Sequence, residues 1–156
     1  MHPRVVEDEI VATLGFGGRG DIISSQIFDT TEEHDPIWVI SRDLTLRRVD
    51  VTQGGGDDDL LTIDADGAIW FVEKGSPHLS RLVAGQVSSM ADGLIKPAYL
   101  NCLEDGSILI TEDRTNFGRL LRYRNGRLDV LARNLRAPQV AVFGTDGAVY
   151  LAEQHR

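Results

Sequence analysis

Three glutamates recur at the same place in a repeated sequence pattern. Glu73, Glu112 and Glu153 each end a short apolar run that begins with Asp-Gly. Carboxylate oxygens are the ligands that hard divalent cations such as Ca²⁺ and Mg²⁺ prefer, so three carboxylates converging on one point would bind such a cation. A glutamate repeated at the end of a strand would also cap the loop that follows it, by accepting hydrogen bonds from backbone amides. Both interpretations stay open at the level of the sequence.

A histidine lies close to the last of these glutamates. Glu153 and His155 are two residues apart, and on a β-strand this spacing places both side chains on one face. The pair predicts a catalytic site in which His155 acts as a general base beside a carboxylate. His155 is also the penultimate residue of the sequence, and a catalytic geometry is hard to maintain near a chain terminus.

The richest polar stretch between two apolar runs follows Glu112. Asp113, Arg114 and Asn116 supply a carboxylate, a guanidinium and an amide within four residues. These groups predict a ligand-binding loop. An exposed hairpin loop accounts for the same residues.

All of these residues belong to a repeated unit. DGAIWFVE at 66–73 returns as DGSILITE at 105–112 and as DGAVYLAE at 146–153, with offsets of 39 and 41 residues. Further pairs keep the offset of 41: Leu94 and Leu135, Pro97 and Pro138, and Arg81 and Arg122. A period of about forty residues is typical of stacked repeat architectures.

The local chemistry of the unit predicts strands rather than helices. Asp-Gly, and Asn125-Gly126 in one unit, supply the positive φ that two-residue hairpin turns require, and short runs rich in Val, Ile and Leu lie between them. No segment keeps a 3.6-residue apolar period over three turns. Each unit is interpreted as four strands, and one such sheet cannot bury both faces alone. We therefore predict an all-β fold: a β-propeller-like array of about four four-stranded antiparallel blades.

The boundaries of the units follow from the same pattern. We predict a single domain over residues 1–156, in which the N-terminal strand at 5–16 completes the last unit. The approximate units are 22–56, 58–94, 97–135 and 138–156.

The repeated phrases resemble the blades of known propeller families. DGAIWFVE, DGSILITEDRTNFGRLLRYRNG and NLRAPQVAVFGTDGAVYLAE are similar to the repeats of the NHL, gluconolactonase-like (senescence marker protein) and virginiamycin B lyase-like families. The resemblance covers 58–156 well and 35–50 weakly. Lactonases and lyases of this kind use a central metal. The resemblance therefore implies Glu73, Glu112 and Glu153 as metal ligands in a divalent-metal-dependent lactonase, esterase or lyase.

A binding or interaction module is the first functional interpretation, because a propeller is a scaffold that serves many functions. Such a module would recognise a small molecule or a protein partner. The related families use roughly six or seven blades, whereas this sequence holds about four. A small closed ring, a fragment and a homo-oligomer, such as a dimer, would each account for the difference, and we favour self-association.

The composition of the sequence limits the classes of molecule that the protein is expected to bind. The 24 acidic and 16 basic residues give a net charge of -8, which predicts no binding to nucleic acid or anionic membranes. Cys102 is the single cysteine, so no intrachain disulfide is possible. The N-terminus lacks the apolar run of a signal peptide, and no stretch approaches eighteen uninterrupted apolar residues. We therefore expect a cytoplasmic location.

Overall fold

The computed structural model describes residues 60–73 and 75–154 with their side chains. It describes the backbone alone over five stretches: 10–16, 22–27, 37–40, 46–49 and 58–59. These residues form fourteen β-strands and no helix, so the prediction of an all-β protein is confirmed. Within the same residues, nothing resembles an apolar helix of membrane-spanning length.

The strands form three four-stranded sheets and one two-stranded sheet, all antiparallel and each in chain order. The first sheet contains β1 (Ile10–Phe16), β2 (Ile22–Ile27), β3 (Ile37–Ile40) and β4 (Leu46–Val49). The second contains β5 (Asp58–Ile63), β6 (Ile69–Glu73), β7 (Leu79–Val83) and β8 (Gln86–Ala91). The third contains β9 (Pro97–Cys102), β10 (Ile108–Glu112), β11 (Gly118–Arg124) and β12 (Arg127–Leu135). The fourth contains β13 (Pro138–Phe143) and β14 (Val149–Glu153).

The sheets follow one another through their first strands. β1 contacts β5, β5 contacts β9, and β9 contacts β13. This is the arrangement of blades around the axis of a propeller, where the first strand of each blade lies innermost. The predicted array of four-stranded antiparallel blades is therefore confirmed.

The N-terminal strand lies in a different sheet from the one predicted. The sequence predicts that residues 5–16 complete the last unit, whereas Ile10–Phe16 pairs with Ile22–Ile27 in the first sheet. Only residues 17–21 separate these two strands in the sequence, so the entropy lost in bringing the two strands together is small. The first unit therefore begins before residue 22.

The hairpin turns confirm the glycine positions and correct one loop length. Asn125 and Gly126 have φ angles of 50° and 77°, as a two-residue hairpin turn requires. At the Asp-Gly turn of the third sheet, Gly106 has φ of 76° and donates its N–H to the Leu103 carbonyl at 2.9 Å. The Leu103 N–H donates to the Ser107 carbonyl at 2.8 Å. The Asp-Gly turn is thus a longer loop than predicted, with glycine in the left-handed position.

The core consists of side chains that pack between neighbouring sheets. Every residue of β10 is buried, and its side chains alternate between two neighbours. Ile110 packs in a cluster with Trp70 of the second sheet, whereas Leu109 packs in a cluster with Ala141 of the fourth. The third sheet is therefore covered on both faces by the sheets on either side of it.

The start of β11 has no room for a side chain. A Cβ atom at Gly118 would overlap the Pro138 ring, lying 2.9 Å from its Cγ and 3.0 Å from the Glu112 carbonyl oxygen. We expect Gly118→Ala to lower the free energy of unfolding by about 1–3 kcal/mol, because the third and fourth sheets must move apart. Urea unfolding measures this change. Thr115→Ala, in an exposed loop, is the control and should change stability by less than about 0.5 kcal/mol. Equal stability of the two variants would contradict the close packing at Gly118.

Candidate functional site

Glu112 is buried and fully engaged by neighbouring groups. Its carboxylate is 0% exposed and accepts hydrogen bonds from Nε and Nη2 of Arg119. It also accepts the backbone N–H of Ile95 at 2.7 Å. The hydrogen bond to Glu112 outweighs partial burial and raises the pKa of the Arg119 guanidinium. Arg119 further donates to the Gly93 carbonyl at 3.2 Å, so this ion pair fastens the connection between the second and third sheets.

Glu153 accepts an equivalent backbone hydrogen bond in the next unit. Its carboxylate is exposed and accepts the N–H of Arg136 at 2.7 Å. Arg136 follows Ile95 by 41 residues, the offset that separates Glu153 from Glu112. Glu112 and Glu153 therefore bind backbone amides, as the capping interpretation predicts, but in the connection that leads into their own sheet rather than in the loop that follows the strand.

The structure does not gather the three glutamates into a metal site. Glu73 is half-buried at the end of β6, and Glu112 and Glu153 bind different inter-sheet connections. Across the described residues, no three Asp, Glu, His or Cys side chains are placed to hold a metal ion. The predicted convergence is not seen among these residues, and the assignment of a divalent cation stays a prediction. His155 lies outside the described residues, so the predicted pair of Glu153 and His155 stays a prediction.

The predicted ligand-binding loop packs against the connections that flank it. Asp113 is 8% exposed, and its carboxylate lies 3.2 Å from Nζ of Lys96. The Arg114 carbonyl accepts the N–H of Phe117 at 3.3 Å, and the Arg114 guanidinium lies 5.9 Å from the Phe117 ring. Asn116 is exposed and has φ of 59°. Of the predicted ligand-binding residues, Asp113 is therefore held in an internal ion pair, while Arg114 and Asn116 keep exposed surface.

A charged cluster closes the opposite end of the space between the second and third sheets. The Asp64 carboxylate accepts hydrogen bonds from Trp70 Nε1 at 2.9 Å, from the Ala68 N–H at 2.9 Å and from Arg81 Nη2 at 3.1 Å. The Arg81 guanidinium lies 5.4 Å from the Trp70 ring centroid. Burial alone would raise the pKa of Asp64, but the bonds from Trp70, Ala68 and Arg81 outweigh it and hold the pKa below its usual range.

The third sheet carries the same arginine without its partners. Arg122 pairs across the strands with Leu109, as Arg81 pairs with Trp70. Leu103 closes its turn with the same backbone bonds as Asp64, so leucine stands where the second sheet has aspartate. Within the described part of the chain, Arg122 makes no hydrogen bond or ion pair, and its Nε atom is buried.

A groove opens at this point between the third and fourth sheets. Its volume is about 690 Å³, and it lies at the Asp-Gly turns, opposite the end where Glu112 lies. We refer to it as the turn-side groove. Its lining residues are Asn101, Cys102, Leu103, Glu104, Asp105, Arg122, Val142, Phe143, Gly144, Thr145 and Gly147. The groove therefore combines apolar walls with one unpaired guanidinium.

Asp105 and Cys102 are two groove residues whose pKa is shifted by their surroundings. The Asp105 carboxylate accepts bonds from the Ser107 hydroxyl at 2.5 Å and the Ser107 N–H at 3.0 Å, and it lies 3.5 Å from Arg124 Nη1. The Ser107 side-chain bond is the main reason that the pKa of Asp105 is lowered. Burial, with the charges of Asp64 and Asp105, raises the pKa of the Cys102 thiol to about 11. Cys102 is thus a neutral thiol near pH 7. The thiolate, which is the reactive form of cysteine, is scarce at that pH.

Comparisons with solved structures identify the fold. A catalytically inactive variant of virginiamycin B lyase from Staphylococcus aureus, solved with quinupristin, matches with a TM-score of 0.68 and 20% identity over 96% of this chain and 50% of that one. A gluconolactonase-like protein matches with a TM-score of 0.61 and 17% identity over 93% and 59%. TolB from Acinetobacter baumannii matches with a TM-score of 0.70 and 17% identity over 94% and 38%.

These matches define a β-propeller protein. Its fold is related to those of the virginiamycin B lyase, gluconolactonase-like and TolB propellers, as the repeat predicts. The chain spans less than two thirds of the length of each of these structures. No protein-family model and no curated protein matches the sequence. At this level of identity the likeness establishes the fold alone.

Arg122 is a candidate residue that the sequence pattern alone does not single out. Arg81 and Arg122 share the offset of 41, which on its own indicates a feature of the fold. The informative signal is a difference between units: Asp64 has no acidic counterpart at Leu103. The arginine is therefore repeated without the carboxylate that pairs with it in the second sheet.

The buried ion pair at Glu112 predicts a large loss of stability. We expect Glu112→Gln to lower the free energy of unfolding by about 2–3 kcal/mol, because the partly buried Arg119 loses its counter-ion. Glu153→Gln is the matched control and should cost less than about 1 kcal/mol, since Glu153 is exposed. Urea unfolding monitored by tryptophan fluorescence measures both. Equal losses in the two variants would contradict a special role for the burial of Glu112.

The cluster at Asp64 predicts a pH-dependent contribution to stability. The folded-state pKa of Asp64 is lowered, so its stabilisation is complete above the unfolded-state pKa of about 3.9 and is lost as the pH falls through the folded-state value. Asp64→Asn should therefore cost about 1–3 kcal/mol at pH 7, and this difference from wild type should shrink below about pH 4. Urea unfolding from pH 7 to pH 3 measures it. Asp66→Asn, in the same turn but exposed, is the control. A difference that stays constant with pH would contradict the assignment.

Proposed function

We propose that this protein is a non-catalytic propeller-type binding module and that its ligand site is the turn-side groove. The observation that carries the proposal is the groove itself, a concavity of about 690 Å³. Pockets for small ligands commonly measure about 300–1,000 Å³ and combine apolar walls with a few polar groups. The turn-side groove has this character, with Val142 and Phe143 on one wall and Arg122 on the other.

The fourth sheet supplies an apolar surface for recognition. Val142 is 43% exposed, Phe143 52% and Tyr150 57%, and all three lie in the two-stranded fourth sheet. A large side chain that remains accessible beside a concavity can bury its apolar area against a ligand. The same exposed residues support self-association of the chain, as expected for the homodimer favoured above.

The alternative is a divalent-metal-dependent lactonase, esterase or lyase. The surroundings of Glu112 do not favour it, because Arg119 and the Ile95 amide already occupy the carboxylate oxygens. A metal ligand must offer free lone pairs to the cation. Binding without turnover is therefore the function that the described geometry supports best.

The test compares two exposed phenylalanines at opposite ends of the sheets. Indole serves as a neutral probe, and backbone amide shifts in ¹⁵N-resolved NMR spectra report where it binds. We expect the shifts to cluster at the turns that contain Leu103 and Gly144, because these turns line the groove. Phe143→Ser should weaken indole binding about fivefold or more through the loss of apolar contact. Phe117→Ser, at a residue that is 64% exposed and lies in the loop after Glu112, is the matched control.

Two outcomes would overturn this proposal. One is a set of indole-induced shifts that lies away from the groove. The other is equal binding by the Phe143→Ser variant and the control. Sedimentation velocity in the same buffer gives the mass of the species that binds, so that a dimer is recognised.

A further inference from the structure

We infer that the turn-side groove takes a small monocarboxylic acid with an apolar body, and that Arg122 binds its carboxylate. This inference rests on the proposed function and adds the chemical class of the ligand. The observation behind it is the lack of a hydrogen-bond partner for the Arg122 guanidinium among the described residues, rather than the shape of the groove.

Arg122 presents hydrogen-bond donors that no described residue uses. Its Nε atom is buried without an acceptor, and no hydrogen bond or ion pair joins its side chain to the rest of the described chain. A partly desolvated guanidinium without a partner is unfavourable, because burial removes the water that would otherwise solvate it. The planar fork of a guanidinium matches a carboxylate through two parallel hydrogen bonds.

The second sheet gives the same arginine an internal counter-ion, although the Nε atom of Arg81 is likewise buried without an acceptor among the described residues. Arg81 lies 3.1 Å from the carboxylate of Asp64, and the Trp70 ring lies beside its guanidinium. In the third sheet, Leu103 and Leu109 occupy the two equivalent positions and offer neither a negative charge nor an indole ring. A bound carboxylate would supply what Asp64 supplies, and an apolar ligand body would occupy volume that Trp70 fills in the second sheet.

The acidic residues near Arg122 are held by other groups. Asp129 pairs with Arg122 across the strands, but its Oδ1 lies 2.6 Å from Arg127 Nε. Asp105 is engaged by the Ser107 N–H and hydroxyl and lies 3.5 Å from Arg124. The Ser107 bonds are the main cause of the lowered pKa of Asp105, and the charges of Arg124 and Arg122 add to it, although no ion pair joins Asp105 to Arg122. The negative charges of Asp105 and Glu104 nevertheless remain at the groove. They would repel a doubly charged anion more strongly than a singly charged one, so the site favours a carboxylate over phosphate.

The wall of the groove opposite Arg122 is apolar and would contact the apolar part of the ligand. Val142 and Phe143 line it together with Leu103. Both Val142 and Phe143 keep roughly half of their surface exposed. A ligand with an aliphatic or aromatic body would cover this surface while its carboxylate reaches Arg122.

The experiment compares a carboxylate with its neutral isostere. The probes are 3-phenylpropanoate, 3-phenylpropanamide and inorganic phosphate, and NMR titration gives the dissociation constants and the shift of the Arg122 Nε–H signal. We expect 3-phenylpropanoate to bind about tenfold more tightly than the amide, because a charged bidentate pair replaces a neutral contact. We also expect it to shift the Arg122 signal, and we expect phosphate not to compete at the same concentration. Equal binding of acid and amide, or competition by phosphate, would overturn the inference.

Variants then test the origin of the preference. Arg122→Gln should remove the preference for the acid, whereas Arg133→Gln, an exposed arginine of β12, should keep it at the same net charge. Leu103→Asp should place an internal carboxylate next to Arg122, as Asp64 lies next to Arg81, and weaken binding of the acid about tenfold or more. Leu103→Asn is the isosteric control and should retain the preference. If Leu103→Asp and Leu103→Asn bind the acid equally, the assignment of Arg122 is wrong.

The failure of this inference is distinguishable from the failure of the proposed function. If indole and both phenyl probes shift the groove turns alike, the groove binds apolar ligands and only the assignment of a carboxylate is overturned. If none of the probes shifts the groove turns, both proposals are overturned. Dispersed NMR spectra of each variant establish that it is folded before it is compared.

Discussion

The structure depends on one constraint: a four-stranded sheet in this protein has two apolar faces and cannot cover either of them itself. Along β10 the side chains alternate between Trp70 of one neighbour and Ala141 of the other, so each face becomes the core of a different interface. Packing between sheets, rather than within one sheet, is therefore the unit of stability, as in other repeat proteins. The positions that recur in the sequence are mostly those that this packing needs.

The positions that change between units explain what differs between the interfaces. Asp64, Trp70 and Arg81 fill the turn-side end of the interface between the second and third sheets with an ion-paired cluster. Leu109 and Arg122 occupy the equivalent places one interface later, and a groove lies there. One interface thus gives its half-buried arginine an internal counter-ion, and the next, among the described residues, does not.

The sequence predicts where the strands and turns of this fold lie better than it predicts which strands pair with each other. Asp-Gly and Asn-Gly turns with short β-branched runs predict the hairpins, since both follow from local backbone preferences. Spacing does not determine which strand an edge pairs with, so residues 5–16 are predicted in the last sheet although Ile10–Phe16 lies in the first. Spacing likewise predicts that Glu73, Glu112 and Glu153 are equivalent, but not that Arg119 and a backbone amide bind Glu112. The sequence pattern does not single out Arg122, because its difference from Arg81 lies in the lack of a carboxylate at Leu103, the position equivalent to Asp64.

The bond between Glu112 and the Ile95 amide also orders the events of folding. Ile95 and Gly93 lie in the connection that precedes the third sheet, whereas their side-chain partners Glu112 and Arg119 lie within that sheet. During synthesis on the ribosome, this connection therefore emerges before the groups that hold it. It becomes fixed only after β10 and β11 have assembled. The third and fourth sheets each hold the connection through which the chain enters them, so each of these two connections is fixed by groups that are synthesised after it.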